Sequence, residues 1–144
     1  MRTTKLFALA ALLSTACPEK RVDGRPAAHH QEALATTAEL FWYSLRWNDS
    51  EAAAAVLEQT DTRLDFLTLW TTEPPEHITD FQIVHVEVLD NTVEDARLEG
   101  LVVVKVEAIE RARNVVDVEM IRQTWYQSGD NWYLDPDSLP FQSE

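Results

Sequence analysis

The sequence predicts an α+β fold in which N-terminal helices pack on a curved antiparallel sheet. Between residues 28 and 76, apolar side chains recur every three or four positions, which is the period of a helix with one buried face. Beyond Pro75 the period falls to two, which is the alternation of a strand. Helices followed by strands with short connections are typical of this class.

The first predicted helix extends from Ala28 to Asn48. Its apolar residues are spaced by four, three and four positions, which places them in one stripe. Two tryptophans flank the stripe and should broaden the buried face. The stripe consists of Leu34, Ala38, Phe41 and Leu45, and the flanking residues are Trp42 and Trp47.

Two shorter helices should follow. A second helix is expected from Glu51 to about Gln59, because the run AAAAVL favours helix and Asp49 is one of the residues placed to cap its first turn. A third begins at Thr60 or Asp61 and ends before two consecutive prolines, since proline cannot continue a helix. Its buried face is expected to carry Leu64, Leu67 and Trp70, with Phe66 and Leu69 beside them.

The rest of the chain predicts four strands, with turns at Asp90-Asn91 and around Gly129. They lie around Val84, Val86 and Val88, around Val102, Val104 and Val106, from about Asn114 to Gln127, and from Trp132 to Leu134. If the valines of the first strand face the core, the alternating His85 and Glu87 face water or a partner. A shared or exposed face is expected to hold Leu101, Val103, Ile109 and Ile121.

The N-terminus has the three-part layout of a secretory signal peptide. Arg2 and Lys5 form a basic region, residues 6–13 (LFALAALL) an apolar one, and residues 14–16 (STA) a stretch of small side chains. A helix of that apolar run is about 12 Å long, too short to cross a bilayer. We therefore expect residues 1–16 to direct export and to be removed.

The residues Leu13-Ser14-Thr15-Ala16-Cys17 resemble the lipobox of bacterial lipoproteins. The resemblance implies cleavage between Ala16 and Cys17, a diacylglyceryl group on the Cys17 sulfur and frequent acylation of the new amino terminus. The leucine lies one position further from the cysteine than is usual, so ordinary cleavage after Ala16 is the alternative. A single thiol left over in an exported protein favours lipidation.

Lipidation predicts where the protein lies and what it meets. Acyl chains stabilise membrane attachment by about 0.8 kcal/mol per buried CH₂. No aspartate follows Cys17 directly, which favours the outer membrane facing the periplasm. Residues 17–28 should be the lipidated cysteine and a flexible tether, and residues 29–144 the folded domain. All 25 acidic residues follow Cys17, so nucleic acid is not an expected partner.

Three segments resemble the NTF2-like (SnoaL, ketosteroid-isomerase) superfamily across about residues 29 to 137. They are residues 78–84 (ITDFQIV), 123–126 (QTWY) and 129–135 (GDNWYLD). The resemblance implies a cone of helices on a curved sheet with a pocket between them, which in some members holds an Asp or His base and a Tyr. A cystatin-like or other helix-on-sheet fold is the alternative.

Candidate pocket residues follow from that resemblance and from the aromatic content, namely Tyr43, Asp65, His85, Trp70 and Trp125. We assign none of them a catalytic role, and no cofactor is expected because serine-nucleophile motifs, phosphate-binding glycine loops and paired cysteines are missing. Adjacent His29 and His30 point apart on a helix, which disfavours a metal site, and they should be exposed beside the tether.

The leading hypothesis is a membrane-anchored, non-catalytic module that binds a partner protein or a second copy of itself. One alternative is a carrier or sensor of a small apolar ligand held in the pocket. The other is an isomerase or dehydratase that uses His85, Asp65 or Tyr43.

Overall fold

Helices precede a four-stranded antiparallel sheet in the structure, a computed structural model that describes residues 21–22, 25–89 and 97–141. The predicted α+β class is therefore confirmed. The predicted signal peptide, the cleavage site between Ala16 and Cys17, and the turn at Asp90-Asn91 lie outside the described residues.

Two short strands lie in the segment predicted to be a flexible tether. β1 (Arg21–Val22) pairs antiparallel with β2 (Arg25–Pro26), with Arg21 opposite Pro26. The chain folds back on itself here, because backbone pairing satisfies groups that an extended segment leaves to water. The assignment of residues 17–28 as a flexible tether stays a prediction.

The first helix, α1 (Ala27–Arg46), buries the predicted stripe, and Trp42 beside it is fully buried. Trp47 is 62% exposed, contrary to prediction, because α1 ends at Arg46 and the chain turns at Asn48, whose φ is 58°. The ring of Trp47 instead lies against Tyr43, with centroids 6.2 Å apart. One face of α1 therefore packs inward and the other carries exposed aromatic rings.

The second helix, α2 (Ser50–Ala54), is shorter than predicted. Asp49 caps it by accepting the Ala52 N–H at 3.1 Å. Beyond Ala54 the hydrogen bonds tighten to an i to i−3 pattern, such as Leu57 N–H to Ala54 O at 3.0 Å, and this turn buries Leu57. The helix ends early because the turn places its apolar residues in the core.

The third helix, α3 (Thr60–Thr72), packs through only part of the predicted face. Trp70 is buried and Leu67 packs against the core as predicted, whereas Leu64 is exposed, so the prediction for Leu64 is wrong. Phe66, predicted beside that face, is buried and stacks on Trp70 with ring centroids 5.7 Å apart, because two aromatic side chains four residues apart bury a large apolar area together.

The sheet has the order β3-β4-β5-β6 with every pair antiparallel. Its strands are β3 (Glu76–Leu89), β4 (Glu99–Glu110), β5 (Val115–Ser128) and β6 (Asn131–Leu134). Register shifts in β3, one of them between Ile83 and His85, bend the strand. Val84 lies at that shift and is 51% exposed, so its predicted inward orientation is wrong, whereas Val86 and Val88 pack against the core.

Each strand presents one side chain in two to the helices, and we call this side of the sheet the inner face. On β4 it carries Val102, Val104, Val106 and Ala108, all buried. The opposite side, the outer face, carries Leu101, Val103 and Ile109 as predicted. Ile121 was expected there too, but it lies opposite Val104 and so belongs to the inner face.

Aromatic side chains hold α1 against the inner face. Phe41 lies edge-to-face with Trp42 at 5.5 Å and with Trp125 of β5 at 6.1 Å. The indole N–H of Trp42 donates to Gln123 Oε1 at 3.0 Å, and both residues are fully buried. The helix therefore has one fixed position over the sheet, set by packing and by one buried hydrogen bond.

Replacing Trp42 by Phe should lower the free energy of unfolding by about 2–4 kcal/mol, because it leaves a cavity and strands Gln123 Oε1. The matched change Trp47→Phe at an exposed position should stay within about 0.5 kcal/mol of the unmodified protein. Urea unfolding followed by circular dichroism measures both. Equal losses from the two variants would contradict the role given to Trp42.

Candidate functional site

The predicted pocket residues are spread over four places in the fold. Tyr43 lies on the exposed side of α1, His85 lies on the outer face of β3, and Trp125 is fully buried beneath α1. Asp65 and Trp70 line one open cleft of about 350 Å³ between α3 and the C-terminal segment. The structure therefore brings together only Asp65 and Trp70.

That cleft has an aromatic floor and acidic walls. Phe66 and Trp70 form the floor, and Asp65 and Asp137 supply carboxylates. Its other lining residues among those described are Thr62, Leu69, Pro136, Leu139 and Pro140. The cleft therefore offers carboxylates as its ionisable groups, without a histidine or tyrosine among these residues to form a mixed acid–base pair.

The space between α1 and the inner face, where the NTF2-like resemblance implies a pocket, is occupied by packed rings. Phe41, Trp42 and Trp125 contact one another there, and Trp132 is buried nearby. Within the ranges described, no group of three or more His, Cys, Asp or Glu side chains is arranged to hold a metal ion.

His85 and Glu87 share the outer face, as the alternation of the strand predicts. His85 Nε2 lies 3.2 Å from Glu87 Oε2, and about half of each side chain is exposed. The pair is open to water on the sheet surface, so it lacks the enclosure that strengthens an acid–base pair.

A polar cluster joins the α2–α3 connection to β5, and sequence reasoning missed it. The Arg97 guanidinium lies 5.2 Å from the centre of the Tyr126 ring and 3.4 Å from Glu58 Oε2, and Ser128 Oγ donates to Glu58 Oε1 at 3.3 Å. Burial, followed by the hydrogen bond to Glu58, raises the pKa of Tyr126 to about 12. The Tyr126 phenol acts as a hydrogen-bond donor to the Glu58 carboxylate.

His30 is buried rather than exposed, so the expectation for this residue is wrong. Its Nδ1 lies 3.4 Å from Gln127 Nε2 on β5. The first turn of α1 packs against the sheet, because α1 already begins at Ala27. His29 beside it is exposed.

The hairpin of β4 and β5 extends beyond the helices, and we call residues 109–122 the hairpin arm. Every residue from 111 to 120 is exposed. On the outer face Val116, Val118 and Met120 are 57%, 56% and 57% exposed, and Val116 lies opposite Ile109. Sequence reasoning missed this exposed apolar row.

The inner side of the arm is acidic. Asp117 and Glu119 alternate with the apolar row, and they interact electrostatically with Glu76 at the start of β3. Burial raises the pKa of Glu76, and the carboxylates of Glu110, Glu119 and Asp117 raise it further. The arm therefore carries an apolar surface on one side and negative charge on the other, which Arg113 at the turn partly offsets because it lies 3.9 Å from Asp117 and lowers the pKa of Glu76.

Glu76→Gln should stabilise the protein at neutral pH. A carboxyl group with a raised pKa in the folded state adds stability below its unfolded value of about 4.5 and loses it as the pH rises through the folded value. The gain from Glu76→Gln should therefore be near zero at low pH and grow toward pH 7. Thermal unfolding across pH measures it, with Glu39→Gln on the exposed side of α1 as the control. A gain that shrinks as pH rises would contradict the account.

None of the helices in the described ranges combines the length and apolar character needed to cross a membrane. No family model matches the chain, and no curated protein is significantly similar to it.

Among solved structures, the chain is similar to a protein of unknown function with a cystatin-like fold from Nostoc punctiforme PCC 73102. The two are 16% identical, and the match covers 80% of this chain and 97% of the other, with a TM-score of 0.49. This likeness is too distant to carry an argument about family or function.

Proposed function

We propose that the chain is a lipid-anchored bacterial lipoprotein whose folded domain binds another protein through the outer face of its sheet. The observation that carries the proposal is the exposed apolar row of Val116, Val118 and Met120 on the hairpin arm. Isolated exposed apolar residues are ordinary, whereas a contiguous exposed row marks an interaction surface.

The strand register places one apolar and two charged residues of β4 beside the row. Val116 lies opposite Ile109, while Val118 and Met120 lie opposite Glu107 and Lys105. Further along β4, Leu101 and Val103 are half-buried on the same face. Apolar side chains bordered by charged ones are the usual composition of a protein-binding surface.

The N-terminal sequence supports the membrane location. The lipobox resemblance around Cys17 implies an acylated anchor, and net charge of −13 should keep the domain away from anionic headgroups. The segment after Cys17 carries Lys20, Arg21 and Arg25, which suit the headgroup region. We place the protein at the outer membrane, facing the periplasm.

The arrangement of the interior favours protein binding over the two alternatives. A carrier of an apolar ligand needs a cavity, whereas Phe41, Trp42 and Trp125 pack together between α1 and the inner face. An isomerase or dehydratase needs its acid and base to converge. Tyr43 and His85 lie on an exposed helix side and on the outer face, away from the cleft that contains Asp65.

Cys17→Ser should release the protein from the membrane and remove the mass of the acyl chains. Fractionation of cells followed by mass spectrometry of the purified protein measures both effects. Cys17→Ala serves as a second variant without a hydroxyl. A serine variant that stays membrane-bound with unchanged modification would contradict lipidation.

Val118→Glu should abolish the complex that the protein forms in its membrane, because it buries a carboxylate in an apolar contact. The complex is measured by its native mass after mild detergent extraction, and a mass of two chains identifies a second copy as the partner. Leu64→Glu, at an exposed position on α3, is the matched control and should leave the complex intact.

A second exposed apolar patch lies on and beside α1 and consists of Leu40, Tyr43 and Trp47. The variant Leu40→Glu tests whether the complex forms through this patch rather than through the outer face. If Leu40→Glu dissolves the complex and Val118→Glu does not, docking uses α1 and the outer-face proposal is wrong.

A further inference from the structure

The hairpin arm has an open strand edge in addition to its apolar row. β5 has 14 residues, but β6 pairs only with Trp125 to Ser128 at its end. Within the ranges described, no strand lies beside the other residues of β5 on the side away from β4. Such an edge presents unpaired N–H and C=O groups, which are a template for another strand.

Hydrogen bonds at the base of the arm show the direction of the backbone groups. Thr124 O accepts the Asp135 N–H at 3.0 Å, and the Thr124 N–H donates to Ser138 Oγ at 3.0 Å, both away from β4. Gln127 instead donates its N–H toward the β4 side, to Leu98 O at 2.9 Å. Even-numbered residues of β5 therefore point their backbone groups away from β4, because the direction alternates along an antiparallel strand.

Four residues of the arm consequently point N–H and C=O at the open edge, namely Val116, Val118, Met120 and Arg122. In the described part of the chain, no hydrogen bond to these backbone groups is formed on that side. The same residues carry the outer-face side chains, and the inner-face side chains between them are Asp117, Glu119 and Ile121.

A second copy of the chain is a poor partner for this edge. Three registers pair at least five residues of the open edge while keeping like faces together, and they are centred on Val118, Glu119 or Met120. The first sets Asp117 opposite Glu119, and the second sets Glu119 opposite itself. The third sets Val116 opposite Thr124, whose backbone groups are already bonded to Asp135 and Ser138. Like charges directly opposite each other destabilise a strand pair, so the charge pattern disfavours self-pairing and favours a basic strand.

We infer that the open edge of β5 accepts an extended segment of the partner protein, in which Lys or Arg alternates with apolar residues. The basic side chains of this added strand face Asp117 and Glu119, and its apolar side chains widen the row of Val116, Val118 and Met120. Main-chain hydrogen bonds supply affinity and the alternate side chains supply specificity. The inference rests on the proposed function and specifies its mode of binding and its partner chemistry.

Two short peptides test the edge, one alternating Val with Lys and the other alternating Val with Glu. Binding is measured on the full-length lipidated protein in detergent micelles. The Lys peptide should bind at least about tenfold more tightly, and its affinity should fall as salt is raised. It should also slow amide hydrogen exchange at Val116, Val118, Met120 and Arg122.

A charge-reversed variant separates this edge from general attraction to an acidic protein. Replacing both Asp117 and Glu119 by Lys should reverse the preference, so that the Glu peptide binds more tightly. The control replaces Glu32 and Glu39, both exposed on α1, by Lys and makes the same change in net charge. The control should retain the preference for the Lys peptide.

The inference is overturned if the two peptides bind equally or if the control variant loses the preference as fully as the arm variant. It is also overturned if the Lys peptide binds without slowing exchange at the four outward amides. If Val118→Glu nevertheless disrupts the membrane complex, the proposed function is supported without the inference about the edge, because the partner then docks on the outer face alone.

Discussion

The contact between α1 and the inner face determines what the rest of the molecule exposes. Trp42, Phe41 and Trp125 pack together, and the Trp42 indole N–H is satisfied by Gln123, which fixes the helix over the base of the sheet. The helix α1 covers only part of the inner face of the sheet. The outer face and the end of the β4–β5 hairpin are consequently left to solvent, and residues 111–120 are all exposed. The space between α1 and the inner face, where the NTF2-like resemblance implies a pocket, is occupied by the same aromatic rings that pack the helix against the sheet.

The two sides of the exposed part of the sheet differ in polarity and charge. The outer side of the hairpin arm is apolar at Val116 and Val118, whereas the inner side carries Asp117 and Glu119 close to Glu76. Neighbouring carboxylates repel one another and an apolar row exposed to water is unfavourable, so a basic, partly apolar partner relieves both. In the proposed mode of binding, the same charges disfavour pairing of the open edge of β5 with a second copy, and natural sheets use edge charges to limit aggregation. The proposal therefore gives the arm both selectivity and solubility.

Periodicity predicted the helix stripe of Leu34 to Leu45, the change from helices to strands and the shared face of His85 and Glu87, because each depends on local spacing. It failed where tertiary packing decides between similar choices. On α3 Phe66, stacked on the predicted Trp70, took the place of Leu64 in the core, and at the β3 bulge Val84 turned outward. The cluster of Glu58, Arg97 and Tyr126 includes an ion pair between Glu58 and Arg97, which are 39 residues apart in the sequence. No local pattern could therefore indicate the cluster. The sequence predicted a long third strand and a short fourth one, but the open edge of β5 also depends on the order of the strands in the sheet, which the periodicity does not show.

Amide hydrogen exchange of the protein in its own membranes, compared with the same protein purified in detergent, tests the central claim most directly. The account predicts slower exchange in the membranes at the hairpin arm and along the outer face, with the cleft around Asp65 and Trp70 unchanged. Slower exchange confined to that cleft, or no difference anywhere on the sheet, would contradict binding through the outer face.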